Sequence, residues 1–177
     1  MNKIEYYWNL IYYNVYIFDR KMSELFQYIN PIFLFNKIPI IKRFYSKNGV
    51  NDMNKFTNRM LNNPKSGISS ISAGSFMGIL LGFIGISIIN IIETIIGRSV
   101  IRDVTDSSMH FIMFFVILLW PTVLINNYLL FKKDKLLNYF REFEMMDKKK
   151  KLTYRWITLI FILLIFSFLI GSFLIII

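Results

Sequence analysis

Three long apolar stretches dominate the pattern of the chain. From Trp156 to Ile177, 17 of 22 residues are Ile, Leu or Phe. A helix of that length reaches about 33 Å, which matches a hydrocarbon core of roughly 30 Å. Its Ser167, Gly171 and Ser172 are a small penalty against the favourable insertion of the rest. Phe111 to Phe131 is a second stretch of similar length. It contains Trp120, Pro121, Asn126 and Asn127, and Pro121, which lacks an N–H and crowds the carbonyl of Ile117, predicts a kink. The longest stretch, Ile68 to Ile96, has serine and glycine through its first half and no charge before Glu93. The expected fold is therefore all-α: an integral membrane protein with three transmembrane helices (68–96, 111–131, 156–177) plus amphipathic cytoplasmic or interfacial helices.

The remaining segments carry helical patterns of their own. Ile4, Trp8, Ile11, Val15 and Phe18 recur at spacings of four and three, one face of a helix. The same segment holds the aromatics Tyr6, Tyr7, Trp8, Tyr12, Tyr13 and Tyr16. Tyrosine and tryptophan favour the headgroup level of a bilayer, so two readings stand: a helix lying in the membrane interface, or one packed on the rest of the N-terminal region. Its charge-free part, about a dozen residues, is too short for a fourth crossing. Further on, Ser23 is a candidate cap for a short helix through Ile29. Pro31 and Pro39 are expected to break Ile32 to Ile41 into extended or turning pieces. Asn48-Gly49 reads as a turn, and Asn51 or Asp52 as the start of a helix with Met53, Phe56 and Met60 on one face. Between the second and third stretches, Leu136, Leu137, Phe140, Phe143 and Met146 form an apolar stripe. Asp134, Arg141, Glu142, Glu144 and Asp147 lie opposite it, which predicts an amphipathic helix over 134–147. The organisation is thus an aromatic, basic region 1–65 followed by a membrane region 66–177.

Charge gives these helices a direction. Ten Lys and Arg residues fall in the first 65 positions, two (Arg98 and Arg102) between the first two stretches, and nine from Lys132 to Arg155. By the positive-inside rule the N-terminus is cytoplasmic and the C-terminus lies outside an inner or plasma membrane. No cleavable signal peptide is apparent. Lys148, Lys149, Lys150 and Lys151 form a run of four positive charges before the third stretch, suited to anionic headgroups as well as to setting topology. The formal net charge of +10 is accounted for by this topology, so acidic lipid rather than nucleic acid is the expected counter-ion.

The chain has no cysteine and one histidine, which excludes disulfides, thiolate nucleophiles, Cys-ligated metals and any site of two imidazoles within one chain. None of the HExxH, GxSxG, phosphate-loop, dinucleotide or calcium-loop patterns occurs. The carboxylates Glu5, Asp19, Glu24 and Asp52 lie beside basic residues and read as a solvated face. No cofactor, no metal and no catalytic residue is expected.

The strongest local motif is the small-residue stripe Ser70, Gly74, Gly78, Gly82 and Gly85, which shares one side of a helix and allows another helix to approach closely. Its occupant is another helix of the same chain, a second copy, or a foreign subunit. Asn90 and Glu93 follow on the same helix. An intramembrane carboxylate is a functional candidate by default, but Glu93 sits near the interface with Arg98 and Arg102 nearby, which favours a structural role. Asn126 and Asn127 are expected to hydrogen-bond across helices, and His110 at the outer mouth carries a weak functional signal. In size and topology alone the chain looks like small membrane accessory proteins. The expected function is a non-enzymatic membrane subunit that assembles with a protein partner at the cytoplasmic face. The alternative is a homo-oligomeric pore or permeabilising protein packed through the Gly74/Gly78/Gly82 face, and a weaker one a lipid-acting enzyme using Glu93 or a carboxylate of the loop between the second and third stretches.

Overall fold

The computed structural model describes residues 3–26, 29, 31–35, 37–50, 52–97, 108–131 and 135–175. Among the described residues the chain is helical and contains no strand. The helices are α1 (Lys3–Leu25), α2 (Pro31–Phe35), α3 (Pro39–Lys47), α4 (Met53–Leu61), α5 (Ile68–Ile96), α6 (Ser108–Asn126, continued by a π-helical turn Asn127–Phe131), α7 (Lys135–Glu144) and α8 (Lys148–Ile175). Three of them are long and apolar enough to cross a membrane: α5, α6 with its π turn from Ile112 to Phe131, and α8. Of the most apolar stretch in each, only 28%, 17% and 17% respectively is buried within the chain. Most of their Ile, Leu and Phe side chains therefore point away from protein, as lipid-facing residues do.

The chain divides into two compact units, Met1–Ile11 with Ser75–Ile177, and Tyr12–Gly74. In the first, α5 meets α6 and α8 through few side chains. A Cβ on Gly85 would stand 2.8 Å from Leu118 Cδ1, and one on Gly78 would stand 3.6 Å from Asn126 Nδ2. Phe83 meets Phe166 edge to face at 5.3 Å. Asn90 Nδ2 donates to Ser172 Oγ (3.0 Å), which in turn donates to the Leu169 carbonyl (2.7 Å). The buried residues of α5 in this unit are Met77, Leu80, Gly82, Ser87, Asn90 and Glu93, so one glycine of the stripe lies among them.

In the second unit the Tyr12 hydroxyl donates to the Ser70 carbonyl (2.9 Å) and lies 2.7 Å from Ser70 Oγ, tying α1 to the first turn of α5. Ser70 Oγ donates to the Pro64 carbonyl. The α4–α5 connection is tight: a Cβ on Gly67 would meet Asn63 N at 2.5 Å and Leu61 O at 2.6 Å, so only glycine fits.

Several local expectations are corrected. Ser23 does not cap a short helix but lies inside α1, where the Arg20–Glu24 pair at i,i+4 (3.0 Å) supports the helix. The buried residues of α1 are Trp8, Asn9, Leu10, Ile11, Tyr12, Tyr13 and Tyr16; of the expected apolar face Trp8 and Ile11 are buried, whereas Ile4 and Phe18 are 69% and 65% exposed. Pro31 and Pro39 start helices α2 and α3 instead of extended pieces, because proline at the first helical position loses no bond and has the right φ. Asp52 caps α4 by accepting from Lys55 N–H (3.0 Å), and the buried face of that helix is Met53, Thr57 and Leu61, not Met53, Phe56 and Met60. The turn at Asn48-Gly49 is present, with Gly49 at φ +80°.

Helix α6 runs through Pro121, and its departure from α geometry is the π turn at Asn127–Phe131. Helix α8 begins at Lys148, eight residues before Trp156, because lysine is a good helix former and a helix need not start where the hydrocarbon does. Asn51, Arg98, Arg102, Asp134, Ile176 and Ile177 lie outside the described residues.

Substitutions at two glycines separate the contacts of α5. Gly85→Val is expected to lower the thermal midpoint in detergent by displacing Leu118. Gly82→Ala, where nothing lies within 4 Å of the new Cβ, is expected to leave it within a degree or so.

Candidate functional site

The densest constellation of polar side chains lies in the first unit, where the start of α1 meets the π turn of α6 and helix α7. Glu5, Trp8 and Asn9 stand at i, i+3 and i+4, so one helix face carries a carboxylate, an indole N–H and an amide. Trp8 Nε1 donates to Asn126 Oδ1 (3.0 Å) in a buried bond. Asn9 is fully buried, and its Nδ2 donates to the Leu129 carbonyl within the π turn (2.9 Å) and to the Glu5 carbonyl (2.8 Å). A π turn does not align its carbonyls for i→i+4 bonds, and Asn9 satisfies one of them from another helix. Asn9 Oδ1 itself is buried without a hydrogen-bond partner.

Glu5 closes the other side of the junction. It accepts from Lys135 Nζ (2.6 Å) and from the Tyr139 hydroxyl (3.1 Å), both on α7. Lys135 Nζ also lies 5.0 Å from the centre of the Tyr128 ring, a cation–π distance. Around this pair, Tyr6 packs edge-on against Tyr139 and Phe143 at 6.1 and 5.4 Å, and Tyr139 stacks on Phe143 at 5.9 Å.

The charges are fixed near neutral pH. The Lys135 hydrogen bond holds the Glu5 carboxyl below its ordinary value against the opposing effect of burial, and Tyr139 adds to the lowering. Burial, then the hydrogen bond to Glu5, pushes Tyr139 up to about 12. Burial and Tyr154 push Tyr6 far above its ordinary value. A carboxylate locked ionised beside neutral tyrosines is a counter-ion, not a proton donor poised near neutrality.

The other expected residues are dispersed. Asn90 is fully buried, with Oδ1 lacking a partner and Nδ2 on Ser172. Glu93 is 5% exposed, while Arg98 and Arg102 lie outside the described residues. Asn126 takes the Trp8 indole, whereas Asn127 is exposed. Tyr13 and Tyr16 are buried and Tyr7 is exposed. Lys148, Lys149 and Lys150 are exposed, and Lys151 Nζ donates to the Glu144 carbonyl (2.8 Å). His110 is exposed at the start of α6.

Of the carboxylates read as a solvated face, Glu5 is the departure. Glu5, Asn9, Lys135 and Tyr139 were not legible as a group, since they lie about 130 positions apart in sequence. The available signal was Asn9, a carboxamide among aromatic and aliphatic neighbours. Comparison with protein-family models, with curated proteins and with solved structures finds no match.

The Glu5 pair has a definite pH signature. A lowered carboxyl stabilises the fold above its ordinary value, and that stabilisation is lost as pH falls through the lowered one. Trp8 fluorescence, in a protein whose Trp120 and Trp156 are replaced by Phe, is expected to report loosening of α1 only as pH falls below the ordinary carboxylate range. Glu5→Gln should flatten this response. Asn9→Leu, which strands the Leu129 carbonyl, should cost about 1–3 kcal/mol in detergent unfolding at any pH.

Proposed function

We propose that the chain is a non-enzymatic membrane subunit that threads the bilayer three times, with its N-terminal helices and α7 at the cytoplasmic face, where it assembles with a partner protein. The observation that carries this reading is helix α3. It is amphipathic, none of its residues is buried, and Ile40 and Phe44 are 78% and 64% exposed beside Lys42, Arg43 and Lys47. Leu34 and Phe35 of α2 extend the exposed apolar surface. Leaving such area in water costs about 25 cal/mol per Å², so a covering surface is required. The distribution of Lys and Arg along the sequence supports the orientation. Anionic headgroups are the expected counter-ions of Lys148 to Lys151. Against the homo-oligomeric pore weighs the position of Gly78 and Gly85, which already stand against Asn126 and Leu118 of the same chain.

Single-cysteine variants at Val50 and Lys150 should react with an impermeant maleimide on one face of the membrane; labelling on opposite faces rejects the topology. Ile40→Asp with Phe44→Asp should leave insertion and helix content intact while removing a protein that cross-links to the wild type in its native membrane. An unchanged cross-linking pattern rejects the assembly surface. Dye release from vesicles by the wild type, abolished by Gly78→Leu, would replace this reading with the pore.

A further inference from the structure

The Tyr12–Gly74 unit contains a cavity of about 670 Å³ between the end of α1, the end of α4 and the α4–α5 connection. Arg20 and Glu24 line it from α1, Asn58 and Arg59 from α4, and Asn62 and Asn63 from the connection. Three properties make this cavity a donor-rich site. First, the wall is tied together: Glu24 accepts from Arg20 Nε at 3.0 Å, and the Tyr16 hydroxyl donates to the Asn62 carbonyl (2.7 Å). Second, two carboxamide oxygens are engaged within the unit. Asn62 Oδ1 accepts from the Ser69 hydroxyl (3.4 Å) and Asn63 Oδ1 from Lys65 N–H (2.8 Å). Each oxygen thus has one lone pair taken, and each side chain still carries an NH2 group able to donate to a ligand. Third, Glu24 offsets the charge of Arg20, and Arg59 adds a second guanidinium to the wall.

The two guanidiniums and the amide N–H groups outnumber the one carboxylate, Glu24, which is paired with Arg20, and such donors match a tetrahedral oxyanion whose oxygens accept. The volume exceeds a bare phosphate and lies in the range of small-ligand sites, with room for a substituent on the phosphorus. The wall includes Pro64, four residues before the first residue of α5. A span that starts there places the cavity at headgroup level.

We propose that this cavity binds a phosphate group, either the phosphodiester of an anionic lipid headgroup or a soluble phosphate. The lipid source rests on the three-span reading, whereas the soluble source does not.

The test uses the full chain, delipidated in a neutral detergent. Native mass spectrometry follows retention of phosphatidylglycerol against diacylglycerol, which lacks the phosphate, and a thermal-shift titration follows inorganic phosphate against chloride. Saturable retention of one phosphatidylglycerol, weakened about tenfold or more by Arg59→Gln and unaffected by Lys149→Gln, assigns a lipid headgroup. A saturable shift with inorganic phosphate, lost in Arg59→Gln and without phosphatidylglycerol retention, assigns a soluble phosphate. Arg59 is exposed, so Arg59→Gln should keep the wild-type circular dichroism and elution volume, and Arg59→Lys should recover part of the binding. Binding of neither probe, or equal binding by wild type and Arg59→Gln, overturns the proposal. A failure of the three-span topology alone would remove the lipid arm and leave the phosphate titration standing.

Discussion

Asn9 places both hydrogens of one amide on main-chain carbonyls, one of its own helix and one of the π turn that ends the second span. A carbonyl released by a π turn in apolar surroundings needs a donor, because an unsatisfied buried polar group costs about 1–3 kcal/mol. No water-facing loop is needed to supply it, since α1 brings the donor on a helix. The same face then carries Trp8 to Asn126 and Glu5 to Lys135. Amide, indole and carboxylate occupy one stripe, so α1 has one rotation about its axis that satisfies all three. The exposed positions of Ile4 and Phe18 follow from that rotation. The helix buries Leu10 and Ile11 as well, so polar and apolar needs are met together.

The spans are organised differently. Leucine and lipid tails are equally apolar, so burying one against the other yields little, and helices in a bilayer meet through small or polar side chains. The contacts of α5 follow that rule: Gly85 admits Leu118, and Asn90 reaches Ser172 near the far end of α8. Low burial along the three spans is the normal consequence. The apolar surface on α2 and α3 is another matter, because those helices are too short to cross a bilayer and α3 also carries Lys42, Arg43 and Lys47.

Electrostatics divides the molecule along the same line. The pairs Glu5 with Lys135 and Arg20 with Glu24 lie outside the three long apolar helices. Within those helices Asn90 meets Ser172 and Thr122 the Leu119 carbonyl, neutral groups that require no counter-ion, and the carboxylate Glu93 is buried near the end of α5. The four lysines that open α8 oppose its dipole, and Lys151 compensates by donating to the carbonyl of Glu144 just before it.

Local pattern determined the three apolar helices, the amphipathic helix of the 134–147 region, the turn at Asn48-Gly49 and the cap at Asp52, since each depends on residues a few positions apart. Helix starts at Pro31 and Pro39, the full length of α1 and the early start of α8 were open to either reading, because proline both ends and begins helices and serine is tolerated inside them. Only the tertiary structure decided that Glu5 is a half-buried counter-ion, that Asn9 serves the π turn, and that Arg20 and Arg59 share one cavity. Their partners lie from tens to more than a hundred residues away, and a side chain's chemistry states what it needs but not which distant group will meet it.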